Sequence, residues 1–140
     1  MEAHEFIVGH ERVIAHFGLW PSFHDAEVFT LSLDRTQGKP SPTLDLHLRG
    51  WVMTSEITPE GHYKLHGDAV LHFRFEGVSE VHVEGFNGQN VISSLNLELA
   101  QARDKQEQTI IKVELEHCYL FEASFTAQTA QLITITPYAK

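Results

Sequence analysis

The sequence predicts an α+β fold that is mainly antiparallel β, with about eight strands and one N-terminal helix. Beyond Pro21, apolar residues recur at every second position in a series of short segments, and each segment keeps one polar side. Such alternation is typical of antiparallel sheets with one face on the core. Before Pro21 the apolar residues instead follow a helical period. A chain of 140 residues is expected to form a single domain, residues 1–140, as a sandwich or one strongly curved sheet.

The N-terminal segment predicts an amphipathic helix. Between Glu2 and Phe17 the apolar side chains recur at steps of three and four residues. Gly18 follows where a left-handed C-terminal cap is common, and Pro21 prevents an early restart. We therefore expect the helix to end near Phe17. Gly9 within it costs up to about 1 kcal/mol relative to alanine, which tertiary packing must offset.

The remaining chain predicts strands separated by turns. In the first strand Phe29, Leu31 and Leu33 are expected to face the core. Stretches rich in glycine and proline at 37–42 and 58–61, and a glycine-rich one at 85–90, predict turns or loops, and the polar segment 100–108 predicts an exposed connection. The predicted strands are 29–34, 44–49, 71–76, 81–84, 95–99, 111–116, 119–125 and 132–136.

The charge balance limits the classes of partner. The chain has 10 Lys and Arg against 19 Asp and Glu, a net charge of −9 with histidine neutral. This excess repels nucleic acid and disfavours an anionic membrane surface, so neither is expected as a partner. No apolar run approaches the roughly 20 residues that span a bilayer. Acidity favours a basic partner, and the alternative is that it only keeps the protein soluble.

The single cysteine indicates a reducing compartment. Cys118 can form no intramolecular disulfide and no tetrathiolate zinc site. Residues 1–17 are too polar for a signal-peptide core, so we expect the cytoplasm. His117 precedes Cys118, but adjacent residues on a strand point to opposite faces, so the pair predicts no nucleophile beside its base. A buried thiol is expected instead.

No catalytic or cofactor-binding motif is present. The chain lacks G-x-S-x-G, G-x-x-x-x-G-K-[ST] and G-x-G-x-x-G, and position 14 is Ile where a zinc-protease helix requires its second histidine. We therefore predict no enzyme activity, no cofactor and no metal. The alternative is a small-ligand-binding or metal-binding β-domain, or an enzyme, that uses clustered histidines. That alternative requires three or more of these residues to converge in a cavity: His24, His47, His72, His82 and His117.

One segment between the helix and the first strand is unusually dense in aromatic and charged residues. Trp20 and Phe23 either fill the core between helix and sheet or belong to a recognition surface that also uses Asp25 and Glu27. We favour the structural role. His24 beside Asp25 is too common a pair to identify a catalytic dyad.

This segment carries a resemblance to a known family. Residues 17–28, with the sequence FGLWPSFHDAEV, are similar to a signature of the immunity protein 50 family of bacterial polymorphic toxin systems. The stretches FEGV at 75–78, VEGFNGQNV at 83–91 and ITP at 135–137 also resemble that family. The signature positions are Trp20, Pro21, Ser22, Phe23, His24, Asp25, Glu27, Phe86, Asn87, Gln89 and Asn90.

The resemblance implies an α+β protein that binds and neutralises a cognate toxin and has no catalytic residues of its own. Combined with the charge, it favours a basic toxin such as a nuclease domain. Carboxylates on the polar sides of strands form the candidate partner surface: Glu80, Glu84, Glu114 and Glu116. A third hypothesis is self-association, because uncovered edge strands can pair between chains.

Overall fold

Among the residues that the structure describes, eight strands form two four-stranded antiparallel sheets, with one α-helix near the N-terminus. The computed structural model describes residues 1–102 and 107–138. The predicted fold class is confirmed. In chain order the elements are a 3₁₀ turn (Ala3–Phe6), α1 (His10–Phe17), β1 (Glu27–Asp34), β2 (Thr43–Ile57), β3 (Tyr63–Glu76), β4 (Ser79–Glu84), β5 (Ile92–Gln101), β6 (Thr109–His117), β7 (Glu122–Ala127) and β8 (Thr129–Pro137).

Two adjacent crossings of the chain connect the two sheets. The first sheet has the order β1-β2-β3-β8, and the second has the order β4-β7-β6-β5. The chain passes from β3 to β4 at Gly77 and returns from β7 to β8 at Gln128. The Gln128 N–H donates to the Glu76 carbonyl at 2.9 Å, so both crossings lie side by side. The two sheets are therefore connected by neighbouring strands that change sheet together.

The core lies between the sheets and is filled by the apolar sides of the strands. The alternation predicted from the sequence places these residues correctly in β2, β3 and β6. Val13 and Phe17 of α1 are also buried and pack into the same cluster. The strand residues that are at most 2% exposed include Leu44, Leu46, Leu48, Leu71, Phe73, Phe75, Ile111, Val113 and Leu115.

The predicted N-terminal helix ends where expected but begins later. Gly18 is the left-handed C-cap, with φ 88°, and its N–H donates to the Ile14 carbonyl. The prediction of helix from Glu2 is wrong, because the 3₁₀ turn ends at Phe6 and Gly9, with φ 93°, is the left-handed N-cap at which α1 begins. Val8 instead pairs with β8, donating to the Ala130 carbonyl at 2.9 Å. The backbone there satisfies its hydrogen bonds against a strand rather than within a helix.

Two strands are much longer than predicted. β2 and β3 continue to the turn at residues 58–62 and form a hairpin beyond the predicted 44–49 and 71–76 segments. The sequence did not predict this extension because residues 51–57 do not alternate between apolar and polar, and its apolar side chains are largely solvent-exposed. Met53, Ile57 and Tyr63, for example, are 53%, 60% and 56% exposed.

The first strand and the last turn of the second sheet also differ from prediction. A bulge in β1 between Val28 and Thr30 places Val28 and Phe29 on the opposite sides of the strand from those predicted. Val28 is therefore buried and Phe29 is 37% exposed. Leu31 and Leu33, beyond the bulge, keep the predicted side, opposite the buried Leu46 and Leu44, although Leu33 is 52% exposed near the end of the strand. Tyr119 is 79% exposed in the turn before β7 rather than within that strand.

The cysteine is exposed, which contradicts the predicted buried thiol. Cys118 follows the last residue of β6, so the alternation of a strand no longer applies to it. The predicted exposed connection at 100–108 is only partly described. Ala102 is buried, and residues 103–106 lie outside the described residues. Within the described chain, no helix has the length and apolar character needed to cross a membrane.

Candidate functional site

The outer side of the second sheet collects carboxylates from all four of its strands. The cross-strand register aligns His82, Ser124, Glu114 and Asn96 in one row. Ser124, Glu114 and Asn96 alternate with buried or half-buried residues, so their side chains point away from the core, and His82 lies on the same side because it is opposite Ser124. We call this surface the acidic face, and it carries Glu80, Glu84, Glu98, Glu114, Glu116 and Glu122.

All four carboxylates of the candidate partner surface belong to the acidic face. Glu80 and Glu84 are on β4, and Glu114 and Glu116 are on β6, two strands away in the same sheet. Each of the four residues is exposed. Strands that are separated in sequence therefore bring together side chains that the alternation pattern identified only one strand at a time.

An open depression of about 580 Å³ lies in the acidic face. Glu80, Glu98 and Glu114 line it together with Ser124 and Thr126 of β7. The small β7 side chains leave room between the longer carboxylates of the flanking strands. A long basic side chain of a partner can enter such a depression and meet carboxylates on several sides.

Two of the carboxylates are held in place by neutral hydrogen-bond donors. The Asn96 side-chain amide donates to Glu114 Oε1 at 2.9 Å and to Glu116 Oε2 at 2.7 Å. Ser94 Oγ donates to the same Glu116 oxygen at 2.7 Å. These hydrogen bonds lower the pKa of Glu116 below its ordinary value, and the bond from Ser94 has a larger effect than the bond from Asn96. The negative charge is thus both retained and oriented.

Exposed apolar residues border one end of the acidic face. Phe86, Tyr119 and Leu120 are 49%, 79% and 58% exposed. Gly85 joins β4 to Phe86 and lies against the Leu120 backbone carbonyl, so the two segments are adjacent. We call these three residues the apolar border. An interface commonly combines such aromatic side chains with charged neighbours.

The aromatic residues of the 20–27 segment pack into the fold. Phe23 is 1% exposed, with its φ at 61°, and Pro21 is buried. The Trp20 ring stacks on His4 with centroids 5.1 Å apart and meets the Phe23 ring edge-on at 6.0 Å. A Cβ on Gly50 would lie 2.7 Å from a Phe23 ring carbon. The aromatic side chain therefore occupies space that only a glycine in β2 leaves open.

The two signature segments pair with each other. The Val28 N–H donates to the Asn90 carbonyl at 2.8 Å, and the Asp25 N–H donates to the Ile92 carbonyl at 3.0 Å. Glu27 forms an isolated antiparallel bridge with Val91. The segment that begins the first sheet is thereby tied to the segment that begins β5 in the second sheet.

Asn90 is a polar anchor within this junction. It is 4% exposed, and its side-chain oxygen accepts the Asn87 N–H at 2.7 Å. Its amide nitrogen donates to the Asn87 carbonyl at 2.9 Å. The Asn87 side chain in turn accepts the Gln89 N–H at 3.0 Å. Short-range polar bonds thus determine the shape of the loop before β5.

Comparison with known proteins identifies the family. A family model described as Immunity protein 50 matches residues 9–138, which is nearly the whole chain. The chain belongs to the immunity protein 50 family. No curated protein and no solved structure gives a match. Membership in an immunity protein family implies a toxin as partner and a non-catalytic role.

The signature positions of this immunity protein family divide into packed and exposed residues. Trp20, Pro21, Phe23 and Asn90 contribute to packing and to the junction described above. The His24 ring lies against the start of β5, with Nδ1 3.0 Å from the Ser93 carbonyl. The remaining exposed positions are Ser22, Asp25, Phe86, Asn87 and Gln89, and Glu27 is half-buried.

Two of the predicted histidines do meet, on the outer side of the first sheet. His47 and His72 stack with ring centroids 4.2 Å apart. His72 Nε2 is 2.6 Å from Asp45 Oδ1, which also accepts a bond from Arg74. Burial lowers the pKa of His47, and the neighbouring His72 lowers it further by a smaller amount. Burial alone would raise the pKa of Asp45, but the bonds from His72 and Arg74 outweigh it and keep the pKa low.

The histidine-cluster alternative loses its support. Within the described part of the chain, no three of the five candidate histidines bring their ring nitrogens within reach of one ion. His24 lies in the loop before β1, His82 is on β4, and His117 ends β6. The only group with metal-ligand spacing among the described residues combines His82 with two carboxylates.

Sequence reasoning missed two carboxylates of the acidic face and one ion pair on the first sheet. Glu98 and Glu122 join the acidic face only through the pairing of β5 with β6 and of β4 with β7. Their polar positions within alternating segments were a signal, but the strand order was not readable. The ion pair joins Arg49 of β2 to Asp68 of β3, where the guanidinium donates to both carboxylate oxygens at 2.9 and 2.8 Å.

Proposed function

We propose that this chain is a bacterial immunity protein that binds the basic surface of its cognate toxin, such as a nuclease domain, through the acidic face. Family membership supports the immunity role. The gathering of carboxylates from β4, β5, β6 and β7 on one solvent-facing sheet surface is the observation that carries the interface. Neutralisation follows because the bound protein covers the basic surface that the toxin needs for its own anionic substrate.

The size of the acidic face suits a specific complex. Nine residues of β6 extend over about 30 Å, and four strands with their side chains span about 20 Å. The face therefore offers on the order of 600 Å², which is close to the roughly 800 Å² that each partner buries in a standard interface. The apolar border adds the remaining area and supplies aromatic anchors at the edge.

The electrostatic argument is one of steering and specificity. Carboxylates oriented by Asn96 and Ser94 need little reorganisation when a cationic partner arrives. Lys112 lies within the face opposite Glu98, but the carboxylates outnumber it. Long-range attraction of this kind raises association rates by about 10- to 1,000-fold at low salt. We place the encounter in the bacterial cytoplasm, within a polymorphic toxin system.

A charge-reversal experiment tests the proposed interface. The variant carries Glu80→Lys, Glu84→Lys, Glu114→Lys and Glu116→Lys, and its association rate with the product of the adjacent toxin gene is measured at low and high salt. We expect association to be about tenfold slower or more at low salt, and the difference to shrink at high salt.

The matched control reverses four exposed carboxylates elsewhere, namely Glu2, Glu5, Glu11 and Glu60. Both variants have the same net charge, so the control separates the acidic face from a general charge effect. Equal rates for the two variants would show that the acidic face is not the interface. Absence of binding by the unmodified chain, together with no rescue of growth, would refute the immunity role itself.

Self-association through edge strands stays a separate prediction. β1 and β8 are the edges of the first sheet, and β4 and β5 are those of the second. Val8 pairs with part of β8 and Val91 with the start of β1, so these two edges are partly covered. Light scattering over a concentration series measures the association, and a constant monomer mass would reject it.

A further inference from the structure

A histidine and two carboxylates converge at the β4 edge of the acidic face. Glu84 of β4 is directly opposite Glu122 of β7, and His82 lies two residues before Glu84 on the same side of the strand. His82 Nε2 is 3.7 Å from Glu84 Oε2 and 3.7 Å from Glu122 Oε1. All three donor atoms lie within 4.8 Å of one another.

This arrangement places like charges in direct opposition. Two carboxylates that face each other across antiparallel strands destabilise the pair. Here the Nε2 atom of His82 is equidistant from the two carboxylates. The other carboxylates of the acidic face add to the negative potential around the pair. The position therefore attracts a cation from solution.

The donor set and its spacing fit a transition metal. Zinc binds histidine nitrogen and carboxylate oxygen at about 2.0–2.2 Å, so donors in a tetrahedral site are roughly 3.3–3.5 Å apart. The observed 3.7 Å from the imidazole nitrogen to each carboxylate needs a small closure, and the two carboxylates lie within 4.8 Å of each other. The side chains of His82, Glu84 and Glu122 are 57%, 66% and 41% exposed, so they have the freedom to close.

We propose that His82, Glu84 and Glu122 form a surface site for a divalent transition metal, with zinc as the best match. One imidazole with two carboxylates suits zinc better than calcium or magnesium, which prefer larger sets of oxygen ligands. Water completes the coordination. Sequence reasoning assigned no metal because the pairing of β4 with β7 brings Glu122 to the other two ligands.

Zinc titration of the purified full-length chain tests the site. Calorimetry at neutral pH compares the unmodified protein with His82→Gln and Glu84→Gln. We expect one zinc per chain to bind at this site and each substitution to weaken it by about tenfold or more, since even outer-shell changes cost that much. Affinity should also fall as the pH is lowered, because the ligand is the neutral imidazole.

The matched controls are His66→Gln and Glu114→Gln, which change an exposed histidine on β3 and an exposed carboxylate of the same face. Both should leave the zinc affinity of this site unchanged. A resonance of the His82 ring that shifts on addition of zinc gives a second, site-specific readout. Unchanged zinc binding in His82→Gln, or no zinc binding by the unmodified chain, would overturn the proposal. Either result leaves the proposed toxin interface untouched, because the calorimetry contains no toxin.

Discussion

Replacing Gly50 by alanine should destabilise the fold, because Phe23 occupies the space next to it. A Cβ at this position would lie 2.7 Å from Cδ1 and 2.9 Å from Cε1 of Phe23. The aromatic ring is 1% exposed and meets Phe17 and Trp20 edge-on, so it has little room to retreat. Gly50 lies within β2, where its backbone conformation is open to alanine. Steric crowding therefore dominates the effect.

The magnitude follows from two opposing contributions. Extra volume in a well-packed core costs about 1–3 kcal/mol. Alanine restricts the unfolded chain more than glycine does, which stabilises the native state by about 0.4–1 kcal/mol. The net loss in the free energy of unfolding for Gly50→Ala is then about 1–2 kcal/mol. For a chain of this length the melting temperature should fall by roughly 3–8 °C.

The assay is thermal and urea unfolding followed by circular dichroism. Gly88→Ala is the matched control, because a Cβ there meets no atom within 4 Å. It should be neutral or slightly stabilising. In the Phe23→Leu background the cost of Gly50→Ala should shrink, which gives a double-mutant cycle. The reasoning is refuted if Gly50→Ala is as stable as Gly88→Ala, or if its cost is the same with and without Phe23.

Three further predictions concern the loop before β5, the first sheet and the cysteine. Asn90→Ala should lower the free energy of unfolding by about 1–3 kcal/mol, because it removes two hydrogen bonds between the buried Asn90 side chain and the Asn87 backbone, each worth about 0.5–1.5 kcal/mol; urea unfolding measures it. The pKa of His47 is lower in the folded protein than the ordinary value of about 6.5, so the unfolded state binds a proton first as the pH falls. The stability that is present above about pH 6.5 is therefore lost below it. Unfolding between about pH 7 and pH 5 should therefore depend less on pH in His47→Gln than in the unmodified protein. Cys118 should react with a thiol reagent in the folded protein without prior unfolding, which the absorbance of the released chromophore measures.

Each of these has a contradicting outcome. Gln89→Ala, an exposed neighbour, should have little effect, and equal losses for Gln89→Ala and Asn90→Ala would remove the role of the buried amide. Parallel pH profiles for His47→Gln and the unmodified protein would contradict the shifted pKa. Modification of Cys118 only after unfolding would contradict its exposed position.

Local periodicity determined the fold class and most of the core. A residue on a strand is buried or exposed according to its position in a two-residue repeat, so Leu44, Leu46 and Leu48 could be assigned to the core without knowledge of their neighbours. The end of α1 at Gly18 was also readable, because a left-handed cap favours glycine. The family resemblance was carried by contiguous residues and is confirmed over residues 9–138.

Only the tertiary structure decided where local patterns are interrupted and which strands are neighbours. The bulge that exposes Phe29 and the left-handed Gly9 depend on pairing with β2 and β8, which are distant in sequence. The approach of Glu84 to Glu122 likewise requires β4 beside β7. Alternation reports which side of a strand is polar, whereas strand order results from hydrogen bonds between distant segments. The sequence alone therefore predicted exposed carboxylates, and only the fold assembles them into one surface.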